Sequence, residues 1–119
     1  MRTILLTVVV GFALGIPLAS AQAAEDVEKL SGYLSSNRVV EAWALAEKIE
    51  PQHAGEPEFD LLYAQAALAA KHPSQAIFAL ERIRQQQPGQ QQARLLLVRA
   101  HRAAGDSIRA RSEIGRAHV

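Results

Sequence analysis

The chain has 119 residues, 13 Lys and Arg against 12 Asp and Glu, and no Cys. The absence of Cys excludes disulfide staples, thiolate metal clusters and a cysteine nucleophile. A net charge of +1 and 49% apolar residues leave room for one small domain once the ends of the chain are set aside.

The N-terminus has the layout of a secretory signal. Arg2 supplies a positive start, Ile4 to Leu14 is apolar apart from Thr7 and Gly11, and Gly15 and Pro17 interrupt it. Ala21-Gln22-Ala23 then offers the small-x-small pattern that a signal peptidase recognises, so residues 1–23 are expected to be removed after Ala23. The apolar run is shorter than the roughly 20 residues that a membrane-spanning helix needs. No Cys follows it, which excludes a lipid-modified new N-terminus. These residues predict an exported protein, with the periplasm as its compartment.

The rest of the chain keeps a regular beat. Ala42, Ala76 and Ala110 are evenly spaced (76 − 42 = 34; 110 − 76 = 34), and Lys48, Arg82 and Arg116 keep the same frame. That period, filled by apolar helical stripes and turn residues, predicts an all-α right-handed solenoid of helix-turn-helix repeats. The units are 24–56, 57–90 and 91–113, the third truncated.

In the first unit Val27, Leu30, Tyr33 and Leu34 predict a short helix. Asn37 is the expected cap of the next, which carries Val39, Ala42, Trp43, Ala46 and Ile49 on one face and is expected to end at Glu50-Pro51. Gln52 to Glu56 would connect it to the second unit. There Pro57 suits a first helical turn, and Phe59, Leu62, Tyr63, Ala66, Ala67 and Ala70 form a stripe. His72-Pro73 should interrupt the helix, because the residue before proline leaves the α region. A second helix follows to about Gln87 with Ala76, Ile77, Leu80 and Ile83 inward, and Pro88-Gly89 stops it.

The third unit repeats the plan. Leu96, Leu97, Ala100 and Ala104 line its first helix, Gly105 is the expected left-handed turn, and Asp106 the expected cap of a helix holding Ile108 and Ala110. Antiparallel helices approach closely only where small side chains face the crossing. Ala42, Ala64, Ala76 and Ala110 are therefore the predicted crossing contacts. Ile114 to Val119 have another character. The opening of a common short-read sequencing adapter encodes this hexapeptide in frame, with a stop triplet next. Residues 114–119 are therefore expected to be foreign, and the native protein to continue beyond Glu113.

From about Tyr33 to Glu113 the chain resembles tetratricopeptide repeats. The small residues at the family's helix crossing fall on Ala64 and Ala76, its unit-ending proline on Pro88, and its inter-helix turn on Gly105-Asp106. Asp60 and Val98 depart from the pattern, the first standing where a large apolar residue is usual and the second where a small one is. The wording of Ala54 to Asp60 and of Ala76 to Ile83 is similar to the N-terminal repeat region of exported Gram-negative proteins. In some of these, such as the surface lipoprotein assembly modifiers, an outer-membrane β-barrel follows. The resemblance implies a concave partner-binding groove formed by Leu61, Gln65 and Leu68 in the second unit, with Leu95, Arg99 and Arg102 in the third. Independently, Leu95, Leu96 and Leu97 cannot all face one core from a helix, so one of them must point elsewhere.

Chemistry of other kinds finds no foothold. His53, His72, His101 and His118 have no helical metal spacing, and neither a phosphate loop nor a G-x-S-x-G motif occurs. No cofactor, metal or catalytic residue is predicted. Acidic residues dominate from Ala24 to Asp60 and Arg from Arg82 onward, which reads as solvated helix faces. The basic stretch lacks the interleaved aromatics of a single-strand nucleic-acid binder. The sequence predicts a non-catalytic scaffold for a protein or peptide partner with acidic groups suited to Arg99 and Arg102. The alternatives are an accessory segment of an outer-membrane transport or secretion protein, or of an envelope enzyme whose catalytic domain lies further on.

Overall fold

A computed structural model describes residues 18–117, with side chains described for 20–106 and for Ile108. The described residues form five helices: α1 (Leu18–Ser35), α2 (Val39–His53), α3 (Pro57–Ala69), α4 (Pro73–Gln86) and α5 (Gln91–Ala117). The beat survives in three dimensions. The starts of α2 and α4 are separated by the repeat interval (73 − 39 = 34), and so are those of α3 and α5 (91 − 57 = 34).

Each helix packs on the next in sequence. In addition α1 touches α3, and α3 touches α5, whereas α2 and α4 do not approach one another. Helices α1, α3 and α5 therefore form one layer and α2 and α4 the other. The more closely spaced layer lies on the inside of the curve, as in stacked helix-pair repeats.

The α1–α2 and α3–α4 turns are the same turn built twice. In the first, Arg38 N–H reaches Tyr33 O at 2.8 Å and Asn37 N–H reaches Leu34 O at 3.1 Å. One repeat later, His72 N–H reaches Ala67 O at 2.7 Å and Lys71 N–H reaches Leu68 O at 3.1 Å. This is the Schellman pattern, with the residue after the cap in the left-handed region. Asn37 (φ 58°) and Lys71 (φ 66°) occupy it. Asn37 is thus a left-handed turn residue, and the residue preceding α2 is Arg38, which makes no side-chain capping bond. Pro57 and Pro73 both sit at the start of their helices, where the missing N–H is no loss.

The core is small-grained. Ala42, Ala46, Ala64, Ala66, Ala67, Ala76, Ala79 and Ala100 are fully buried, so backbones come close and larger residues such as Phe59, Leu30, Leu80 and Ile83 fill the seams. Pro88 lies in the loop between α4 and α5.

Two predicted helix ends are corrected. Pro51 does not stop α2, which runs on to His53. In the last turn a proline forfeits one backbone bond without demanding a break, and Ala54 N–H closes the end on Glu50 O at 2.8 Å. Gly105-Asp106 is not a turn: α5 passes through it. Gly105 falls one repeat after Lys71 (105 − 71 = 34), yet no proline follows it as Pro73 follows His72. A helical glycine costs about 1 kcal/mol, less than abandoning several backbone hydrogen bonds. Asp106 is consequently an exposed helix residue and not a cap. Ala110 lies in α5 with its side chain outside the described set. Of the expected signal, residues 1–17 lie outside the described residues, while Ala21 and Ala23 lie in α1.

Candidate functional site

The inner layer presents the side chains assigned to the groove. Leu61, Gln65 and Leu68 on α3 are partly exposed, and Leu95, Arg99 and Arg102 on α5 are exposed. Of the three consecutive leucines, Leu96 and Leu97 are buried and Leu95 is 58% exposed. Their counterparts one repeat earlier, on α1, are Val27, Ser31 and Leu34 for the α3 trio, all partly buried. Val98 is also 58% exposed, although its counterpart Ala64 is at 0%. Val98 is the larger residue where the two units should match, and nothing described packs over it. On the outer layer Val40 and Phe78 are exposed.

The base of α3 is fixed by a side chain that sequence reasoning placed on an exposed face. Asp60 is fully buried. Its carboxylate accepts from Arg82 Nη2 (2.8 Å), Arg82 Nε (3.1 Å) and the Gly55 N–H (3.1 Å). Hydrogen bonding to Asp60 raises the pKa of Arg82 further, keeping it a fixed cation. Gln86 Nε2 donates to Gly55 O at 2.9 Å, so α4 grips the α2–α3 turn directly through Gln86 and indirectly through Arg82 and Asp60. Gly55 itself has φ 97°, a conformation that favours glycine. A second glutamine, Gln90, caps α5 by accepting from Ala93 N–H at 2.7 Å. Of the glutamines beside Pro88-Gly89, Gln86 and Gln90 are therefore structural anchors.

Aromatic rings line the seam between the first two units. Trp43 stacks on His72 with centroids 5.0 Å apart and tilts against Tyr63 at 5.2 Å. Burial first, then the nearby Glu50 and Glu47, pushes the Tyr63 phenol up to about 12. Beside Phe59 lies His53, buried at 4% exposure, its Nδ1 3.0 Å from Glu56 Oε2. His101 is exposed. Among the described residues no three His, Cys, Asp or Glu side chains converge as metal ligands would, and no helix is long and apolar enough to cross a membrane.

Paired helices stacked at a constant interval, with an open inner layer, define an α-helical repeat protein. Residues 67–117, from the last turn of α3 to the end of α5, match the family model described as tetratricopeptide repeat. No curated protein and no solved structure matches the chain. Repeats of this kind serve as protein-interaction scaffolds, and the match lends the chain that general character.

Proposed function

We propose that the chain is an exported, non-catalytic tetratricopeptide-repeat scaffold that binds a protein or peptide partner along the α1/α3/α5 face in the periplasm. The observation that carries this is the inner layer itself: it leaves Leu61, Gln65, Leu68, Leu95, Arg99 and Arg102 open to solvent while the alanine-rich seams behind them are closed. Leu95 offers apolar area next to two guanidinium groups, so the partner carries acidic residues beside an apolar one. None of the four ion pairs among the described residues engages Arg99 or Arg102, which leaves both available.

Export rests on the order of Arg2, the Ile4 to Leu14 run and Ala21-Gln22-Ala23. The wording of Ala54 to Asp60 and Ala76 to Ile83 supports a place among exported Gram-negative repeat proteins, as the N-terminal part of a longer chain.

Arg99→Ala with Arg102→Ala tests the face. Both side chains are exposed, so the helicity measured by circular dichroism should stay unchanged while partner capture falls. Unaltered capture would reject the groove. Mass spectrometry of the secreted form should find Ala24 first; a retained Met1 would reject the cleavage site.

A further inference from the structure

The inner layer is ruled into rows, because each groove position recurs one repeat away on the neighbouring helix. Val27, Leu61 and Leu95 form an apolar row across α1, α3 and α5 (61 − 27 = 34; 95 − 61 = 34). Ser31, Gln65 and Arg99 form a polar row at the same interval (65 − 31 = 34; 99 − 65 = 34). Each member of the polar row carries a donor, and no side-chain hydrogen bond among the described residues uses any of the three. A third row holds Leu34 and Leu68 and ends in Arg102. The members of all three rows reach solvent, most of all those on α5. Along each helix the polar row lies about 6 Å from the apolar row and about 4.5 Å from the third, so it runs between them.

Such rows select the conformation of what lies across them. Packed helices stand about 8–10 Å apart, so successive contacts of one row fall at that spacing along a ligand. A polyproline II segment repeats every three residues at about 3.1 Å each, which sets every third side chain on one edge at about 9.3 Å. A β-strand returns side chains to one face at about 6.6 or 13 Å and misses the interval. An α-helix covers it in about seven residues, but its carbonyls are paired internally and leave the polar row nothing to bind. Polyproline II has no internal hydrogen bonds, so its carbonyls can accept from Ser31, Gln65 and Arg99. We propose that the partner presents a polyproline II segment across α1, α3 and α5, with an apolar residue at every third position on Val27, Leu61 and Leu95. The intervening residues, best filled by proline, pack on Leu34 and Leu68. An acidic residue beyond the third apolar one meets Arg99 and Arg102, while the exposed Glu28 disfavours acid at the α1 end. This rests on the scaffold reading and deepens it by stating the partner's conformation and spacing. All three rows begin after Ala23, so removal of residues 1–23 leaves them whole.

The probe is acetyl-Leu-Pro-Pro-Leu-Pro-Pro-Leu-Glu-Glu-amide, titrated into the ¹⁵N-labelled full chain. One control, acetyl-Leu-Pro-Leu-Pro-Pro-Pro-Leu-Glu-Glu-amide, keeps the composition and breaks the spacing. The other is a helical peptide with leucines seven apart and the same two glutamates. Saturable amide shifts are expected on all three helices, at Val27, Leu61 and Leu95, together with movement of the Gln65 side-chain amide. Respacing should weaken binding about tenfold, through the lost burial of one leucine. Gln65→Ala should weaken it about fivefold. Equal or tighter binding of either control, an unaffected Gln65→Ala, shifts confined to one helix or no saturable binding of the probe would overturn the polyproline II assignment. Capture of the native partner and its loss in the Arg99/Arg102 variant are measured separately, so failure here and failure of the scaffold reading are told apart.

Discussion

Asp60 and Arg82 form a two-point ion pair between neighbouring helices, 2.8 Å from Nη2 to Oδ1 and 3.1 Å from Nε to Oδ2. The pair joins α3 to α4, and through Gly55 N–H it also fixes the turn after α2. One carboxylate therefore sets how the first unit sits on the second.

Arg82→Met leaves that carboxylate buried without a counter-charge. Removing one partner of a buried pair costs about 3–5 kcal/mol. The lower end applies because a third of the Arg82 side chain (33%) meets water. Urea denaturation should show the loss. Asp60→Leu combined with Arg82→Met should recover most of it, since an apolar pair of similar volume leaves no buried charge. A single variant as stable as the parent would mean that the pair does not form.

Two positions one repeat apart, Lys71 and Gly105, predict opposite responses to glycine. Lys71 adopts φ 66°, a conformation costing an L-residue about 1–2 kcal/mol, so Lys71→Gly should stabilise the chain by up to about 1 kcal/mol after the added freedom of the unfolded state. Gly105 lies inside α5, and a Cβ there would meet nothing within 4 Å. Gly105→Ala should therefore stabilise by about 1 kcal/mol and raise helicity. A destabilised Gly105→Ala would show that position 105 is a left-handed turn after all.

Ala64 and Ala76 are both at 0% exposure. Ala76→Leu inserts a branched side chain where two backbones are close, and thermal melting should register a loss of about 1–3 kcal/mol. An unchanged melting temperature would place Ala76 away from the helix crossing.

Tyr63 gives the fold an alkaline limit. Its phenol is pushed from 10.0 up to about 12, so between those values the folded chain binds a proton that the unfolded chain has released. The contribution is complete below pH 10 and is lost as pH rises through about 12. Tyr63→Phe should flatten the fall of stability across that window in paired denaturation curves. Equal slopes for both proteins would place Tyr63 in ordinary solvent.

Much of the architecture is legible in the sequence because it rests on local chemistry. Pro57 and Pro73 mark helix starts by geometry alone, and the regular frame of Ala42 and Ala76 locates the seams. The expected ends at Pro51 and Gly105 fail for a common reason: each residue permits a break, and only tertiary packing decides whether one occurs. Asp60 reads in sequence as one acid among many on helix faces. Its trace is nevertheless there, since Lys48, Arg82 and Arg116 recur in frame and an acid precedes the first two by one interval, at Asp26 and Asp60 (48 − 26 = 22; 82 − 60 = 22). Only the second couple forms an ion pair among the described residues. His53 carries no sequence mark, because its burial depends on how α2 ends over Phe59.

The α1/α3/α5 layer as the proposed partner-binding face is open to a direct test. A photo-crosslinking residue placed singly at Leu61, Leu68 or Leu95, and at Val40 or Phe78 on the outer layer, tests it in the native host. All five positions reach solvent. One shared adduct is expected from the three inner positions, none from the outer two, and a decline of that adduct when Arg99→Ala and Arg102→Ala are added. Adducts from Val40 and Phe78 with none from Leu95 would contradict it.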